Sequence, residues 1–127
     1  MIAHLSYDQQ RYIIAATFSG VLSEADVKMF YTFVRCYAPL GQPYHELIDY
    51  SEVHSHDLDQ QVLQAASENE FRKRESRDER AKTAFVSQSQ LIIAMIESYY
   101  QTNTHLRRIA QIFPDRQQAM DWLLADR

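Results

Sequence analysis

Glycine occurs twice, proline three times, and cysteine and tryptophan once each in this 127-residue chain. So few glycines and prolines exclude a loop-rich or low-complexity chain and favour long regular elements joined by short turns. The lone cysteine, Cys36, cannot close a bridge within the chain, which excludes a disulfide-stapled framework and fits a reducing compartment. It reads as a small buried or half-buried hydrophobe. Basic charge is also short: the formal net charge of −4 gives no support to nucleic acid or an anionic membrane as a general partner. The longest apolar run, LIIAMI at 91–96, falls well below the roughly 18 residues that a membrane-spanning helix needs. MIAHLSYDQQRY at the start has no basic region leading into an apolar core, so no signal peptide is expected and the cytoplasm is the expected location.

What is present is ordinary for a globular protein: 46% hydrophobic and 24% charged residues, at a length suited to one domain over 1–127. Segments 3–7 and 12–19 are rich in β-branched and aromatic residues around a polar DQQR, the pattern of a hairpin, with Gly20 expected to end the second strand. Four short polar signals then precede apolar residues at helical spacing: Ser23-x-x-Asp26, Asp57-x-x-Gln60, Ser87-x-x-Gln90 and Asp115-x-x-Gln118. In each, the first side chain can accept from an amide of the first turn and the last can reach back. Four helices are expected, separated by β-like runs at 46–49, 83–86 and 108–113. The order β-β-α-β-α-β-α-β-α calls for an α/β fold with a single open, mostly parallel sheet and an antiparallel N-terminal hairpin.

Three stretches carry a family resemblance. TFSGVLSEADVKMF, a strand ending in Gly and running into a capped helix, is similar to openings in the STAS-like, SpoIIAA-like group. ELIDYSEV resembles that group's buried strand ending in an acid, and IFPDRQQAMDWL resembles its closing strand, Asp-capped helix and Trp-Leu pair. The resemblance implies the SpoIIAA/STAS-like fold, also compared with the CRAL-TRIO lipid-binding fold, and a binding or regulatory role. Phosphorylatable antagonists of this kind carry Asp-Ser-Ser-Gly after the third strand; here the stretch reads His56-Asp57-Leu58-Asp59, and Leu58 cannot accept a phosphate.

Ligands of open α/β sheets sit beyond the carboxyl ends of the strands. That places a candidate binding rim at Asp49, Ser51, His54, His56, Ser87 and Ser89. His54-x-His56-Asp57 is a bare spacing without the fixed geometry of a metal site, and neither Ser51 nor Ser55 lies in a Gly-x-Ser-x-Gly elbow. Asp57 has a simpler task as a helix cap. No metal, no cofactor and no catalytic residue is therefore assigned. FRKRESRDERAK, at 71–82, mixes acids among its bases and reads as a solvated helix end.

A second anomaly is apolar breadth. Residues 91–96 are consecutively apolar, and the first helix presents Val27, Phe30 and Val34 on one side and Met29, Phe33 and Cys36 on another. A helix lying on a sheet needs only a stripe. The surplus points to a thick core or to a partner surface at Phe30, Phe33, Ile92, Met95, Ile96 and Tyr99. The leading expectation is a non-catalytic cytoplasmic module that contacts a protein partner or forms a homo-dimer. The alternative is a carrier of a small hydrophobic ligand such as a lipid, and the third an enzyme using residues 49–57.

Overall fold

The computed structural model describes residues 1–37, 44–59, 61, 81–101 and 110–125. Five strands form one sheet in the order of the chain: β1 (Ile2–Asp8), β2 (Ile13–Leu22), β3 (His45–His56), β4 (Thr83–Val86) and β5 (Ala110–Phe113). β1 and β2 are antiparallel and all later neighbours are parallel. Three helices are described, α1 (Glu24–Tyr37), α2 (Gln90–Gln101) and α3 (Arg116–Leu124). The helix expected after Asp57 and the basic stretch up to residue 80 lie outside the described residues.

The hairpin closes because Asp8 Oδ1 accepts from the amides of Gln10 and Arg11, while Tyr12 takes a left-handed conformation at φ 56°. Gly20 does not end β2. The strand runs through it to Leu22, and Gly20 sits at φ 72° where the register against β3 slips. A glycine with positive φ inside a strand is the signature of a bulge rather than a terminus. β3 likewise continues seven residues beyond the predicted end at Asp49, since Glu52 to His56 find pairing partners on the far half of β2. That pairing is non-local and has no local signal.

Helix starts follow the capping residues. Ser23 Oγ accepts from the Asp26 amide at 3.3 Å and Asp26 Oδ2 accepts from the Ser23 amide at 2.9 Å, a reciprocal box. Asp115 Oδ1 accepts from the Gln118 amide at 2.8 Å. In the third of the predicted signals the cap moves by two residues. Ser89 Oγ accepts from the Ile92 amide, while Ser87 Oγ accepts from the Ser89 amide in the turn before.

Alternate strand residues divide the interior into two layers, as the two-per-repeat pleat requires. Ile14, Ala16, Phe18, Ile48, Tyr50 and Phe85 face α1 and α2; Ile13, Ala15, Leu47, Val86 and Phe113 face α3. Strands covered on both sides read as continuous apolar runs, which is why Ile13 to Ala16 are all buried. The α3 layer is thin and aliphatic, closed by Ala119 and Leu123 with Trp122 against the Phe113 ring at 5.4 Å. Lys82 fastens the far end of α3: its Nζ donates to the Trp122 carbonyl at 2.6 Å and lies 5.0 Å from the indole ring. The layer under α1 and α2 is aromatic.

Burial corrects part of the apolar-surface expectation. Phe30, Ile92, Met95 and Ile96 are core residues, with Ile96 only 2% exposed, while Phe33 and Tyr99 are half-buried against them. Of the apolar run on α2, Ile92, Met95 and Ile96 enter the core, Ile93 is half-buried, and Leu91 stays 51% exposed. Cys36 is exposed instead of buried, since it stands roughly 240° round the helix from Phe30. Among the described residues no helix is long and apolar enough to cross a membrane.

Candidate functional site

Where β4 and β5 end, the polar residues that follow them meet Thr17 and Asp49, which lie within β2 and β3. Asp49 is buried at the end of the shared β2–β3–β4 register. Its Oδ1 accepts from the Ser51 amide at 2.9 Å and from Ser51 Oγ at 2.6 Å, and its Oδ2 accepts from Arg116 Nη1 at 3.1 Å. The same guanidinium nitrogen lies 3.4 Å from Thr17 Oγ1. Beside this, the Ser87 amide donates to the Phe113 carbonyl and Gln88 Nε2 donates to the Pro114 carbonyl, carrying the β4–β5 contact past the strand ends.

The rim expected from the sequence is therefore partly assembled. Asp49 and Ser51 touch, and Ser87 and Ser89 form the turn into α2. His54 is exposed on the extension of β3, and His56 Nδ1 accepts from the Leu58 amide at 3.2 Å. Among the described residues neither imidazole hydrogen-bonds to Asp49, whose partners are Ser51 and Arg116. Among the described residues no group of three His, Cys, Asp or Glu side chains is arranged to hold a metal ion. Leu58, which stands where the phosphorylatable pattern has its first serine, is buried in the aromatic layer.

Arg116 was not anticipated, yet a signal was there. It occupies the first position of α3, the positive end of the helix dipole, where a cation is disfavoured unless an acid holds it; Asp49 is that acid. Asp26 was read only as a cap. It is buried and also accepts from the Ile2 amide at 3.1 Å and meets the Met1 ammonium at 3.0 Å. Burial works to raise its pKa, but the Ser23 amide, the N-terminal ammonium and the Ser23 hydroxyl outweigh it, leaving the carboxyl below its ordinary range. At the opposite, amino ends of the strands, Glu46 is wholly buried and accepts from Thr83 Oγ1 at 2.9 Å.

The aromatic layer holds a second cluster. Tyr50 packs its ring against Phe18 at 5.2 Å and Phe85 at 5.9 Å; Phe18 meets Phe30, and Phe30 meets Tyr31. The hydroxyls of Tyr31 on α1 and Tyr99 on α2 stand 3.4 Å apart and join the two helices. Desolvation, with the Tyr99 phenol and the Asp26 and Glu46 carboxylates, pushes the Tyr50 hydroxyl far above its ordinary pKa, so it stays protonated.

The outer flank of α1 carries a third feature. Met29 is 55% and Tyr37 54% exposed, Cys36 is exposed and Phe33 is half-buried. Phe33 and Tyr37 stack with ring centroids 4.5 Å apart.

No protein-family model and no curated protein matches the chain. Among solved structures, it is similar to an uncharacterised protein of the DUF3478 family with a SpoIIAA-like fold from Shewanella loihica PV-4. The TM-score is 0.59 and the identity 20%, over 97% of this chain and 92% of that one. The chain has the SpoIIAA-like fold: one open sheet of five strands, antiparallel at β1–β2 and parallel beyond, with the helices described above.

Proposed function

We propose that the chain is a single non-catalytic STAS-like module that works through a protein contact, with a second copy of itself seated on the outer flank of α1. The observation that supports this is the exposed apolar stripe Met29, Phe33, Cys36 and Tyr37. It replaces the buried residues of α2 as the surface that self-association would use. Closed pairs are the commonest soluble assembly, and a flank at one side of a helix is open to an equal flank across a two-fold axis. An exposed thiol on that stripe suits a reducing, cytoplasmic setting.

Catalysis through residues 49–57 draws little support from the side chains, since Ser51 and Arg116 already occupy both Asp49 oxygens. Regulation by phosphorylation at the usual motif draws none, since Leu58 stands in its place.

Sedimentation velocity over a wide concentration range tests the reading. The unaltered chain is expected to pass from monomer to dimer, and Met29→Glu with Tyr37→Glu to remain monomeric while melting within a few degrees of it. A chain that stays monomeric throughout, or a double variant that still dimerises, overturns the assignment of this stripe.

A further inference from the structure

The sheet has one long edge without a neighbouring strand among the described residues. β1 is seven residues long and stands at one end of the strand order, while β5, at the other end, has four. An open edge offers unpaired backbone groups to any strand that reaches it, and edges are ordinarily blunted by lysine, proline or brevity. β1 reads IAHLSYD, with neither lysine nor proline. A bulge between Ile2 and His4 disturbs it only at its start.

Alternation along β2 fixes which groups of β1 face outward. Met1 and Ser19 exchange both backbone bonds. Every second residue of β2 from there, Thr17, Ala15 and Ile13, therefore turns its amide and carbonyl towards β1. The residues of β1 opposite those in between, Ile2, Leu5 and Tyr7, turn theirs away. The Ile2 amide agrees, since it donates to Asp26 rather than to β2. Leu5 and Tyr7 are left to present an amide and a carbonyl each.

α1 sets its apolar stripe beside this edge. The helix lies over β1 and β2. Asp26 reaches towards β1 at Ile2, whereas Tyr31 reaches the other way, to Tyr99 on α2. At about 100° per residue, Phe33, Met29 and Cys36 fall within about 80° of Asp26, on the side away from Tyr31. Stripe and edge form one continuous flank.

We infer that this flank receives a second copy of the chain by antiparallel pairing of β1 with the partner's β1, centred on Ser6, which joins the two sheets into one across a two-fold axis. The inference rests on the self-association proposed above and names the strand that carries it. This register sets Leu5 against the partner's Tyr7 and Tyr7 against the partner's Leu5, so every outward amide and carbonyl of both residues is used. Centring on Leu5 would set Tyr7 against the bulged Ala3 instead.

The side chains fit the same register. His4, Ser6 and Asp8 stand opposite Thr17, Ala15 and Ile13 and so share the face away from α1. His4, which is exposed, comes opposite the partner's Asp8, and the symmetry makes this pair twice. Arg11 holds one oxygen of the Asp8 carboxylate at 3.0 Å, and an imidazole N–H can share that oxygen. On the other face the half-buried Leu5 and Tyr7 meet across the axis. A strand spacing of roughly 4.8 Å brings α1 and its copy to roughly 10 Å, a helix-packing distance, with Met29 and Phe33 between them.

Two single-cysteine chains, both carrying Cys36→Ser, read the register directly. The Ser6 pair on the axis is of the non-hydrogen-bonded kind, with Cα atoms roughly 4.5 Å apart, within reach of a disulfide. Diamide, which takes up the two thiol hydrogens as the S–S bond forms, should link Ser6→Cys almost completely into dimers. His4→Cys lies two residues off the axis, roughly 14 Å from its own copy, and should stay unlinked. With Cys36 restored, His4→Asp sets acid against acid at both ends. It should weaken the dimer at least about tenfold in sedimentation velocity and leave the melting temperature of the dilute monomer unchanged.

No linking of Ser6→Cys, equal linking of both cysteine chains, or a His4→Asp dimer of parental strength overturns the strand pairing. If that dimer still dissociates in Met29→Glu with Tyr37→Glu, the stripe stands and only the strand is lost. A parent chain that is monomeric at every concentration overturns both.

Discussion

The two polar clusters of this molecule differ in what their bonds leave over. At the strand-end rim, Asp49, Ser51, Thr17, Arg116, Ser87 and Ser89 are tied to one another and to nearby backbone. In the aromatic layer, Tyr50 has a hydroxyl with no partner among the described residues, surrounded by rings. The rim is rich in residue types that do chemistry, yet its donors and acceptors serve as joints between strands and helices. The layer looks like plain core in the sequence, yet it holds a buried hydroxyl, that of Tyr50, with no hydrogen-bond partner among the described residues. Residue type announces potential; only a count of satisfied groups says where capacity remains.

That contrast can be broken at several points. The largest effect is expected from Ile96→Asp, which places a carboxylate at a site 2% exposed without a partner. A loss of at least about 4 kcal/mol is expected in urea denaturation. A variant that kept its midpoint would return α2 to the surface and dissolve the aromatic layer as a closed compartment.

Next come the two halves of the rim pair. Asp49→Ala leaves a guanidinium and a serine without their acceptor and should cost about 2–3 kcal/mol. Arg116→Ala should cost less than about 1 kcal/mol, because the arginine side chain is 48% exposed and solvent screens it. Equal costs in the same denaturation series would mean that the ion pair, and not the Ser51 contacts, holds the rim together.

Asp26→Asn should cost roughly 1–2 kcal/mol at neutral pH, the scale of a lost cap. The pH dependence has a definite sign. The folded carboxyl titrates below its ordinary value, so its contribution is present above the unfolded pKa of about 3.9 and fades as pH falls through the folded one. The gap between parent and variant should therefore close in acid denaturation below about pH 4; a gap that persisted would show that shape, not charge, makes Asp26 matter.

The smallest effect sharpens the comparison most. Tyr50→Phe removes a hydroxyl that makes no hydrogen bond among the described residues, so the variant should be at least as stable as the parent in the same denaturation series, in contrast to Asp49→Ala at the rim.

Much of the fold was legible because its signals are local. The caps at Ser23 and Asp115 sit where the spacing put them, β4 has its expected bounds, and the alternation of strands and helices led to the SpoIIAA-like fold. Less of the candidate site was. The period-2 reading of ELID stopped at Asp49, one residue before Tyr50, because no local feature marks a strand that is prolonged by pairing with a distant bulged neighbour. Arg116 could have been flagged by its charge at a helix start. The division of the apolar residues of α1 and α2 into buried and exposed could not, since a helix that is apolar over more than a stripe has two orientations of similar hydrophobicity.

By itself the sequence determined the order of the described elements and the parallel character of the sheet beyond its first hairpin, since propensity, capping and apolar periodicity act over a few residues. Only the tertiary structure decided which polar groups are spent on one another and that the Tyr50 hydroxyl finds no hydrogen-bond partner among the described residues. Hydrogen-bond satisfaction depends on partners up to 99 residues away, such as Thr17 and Arg116, and no window along the chain contains both.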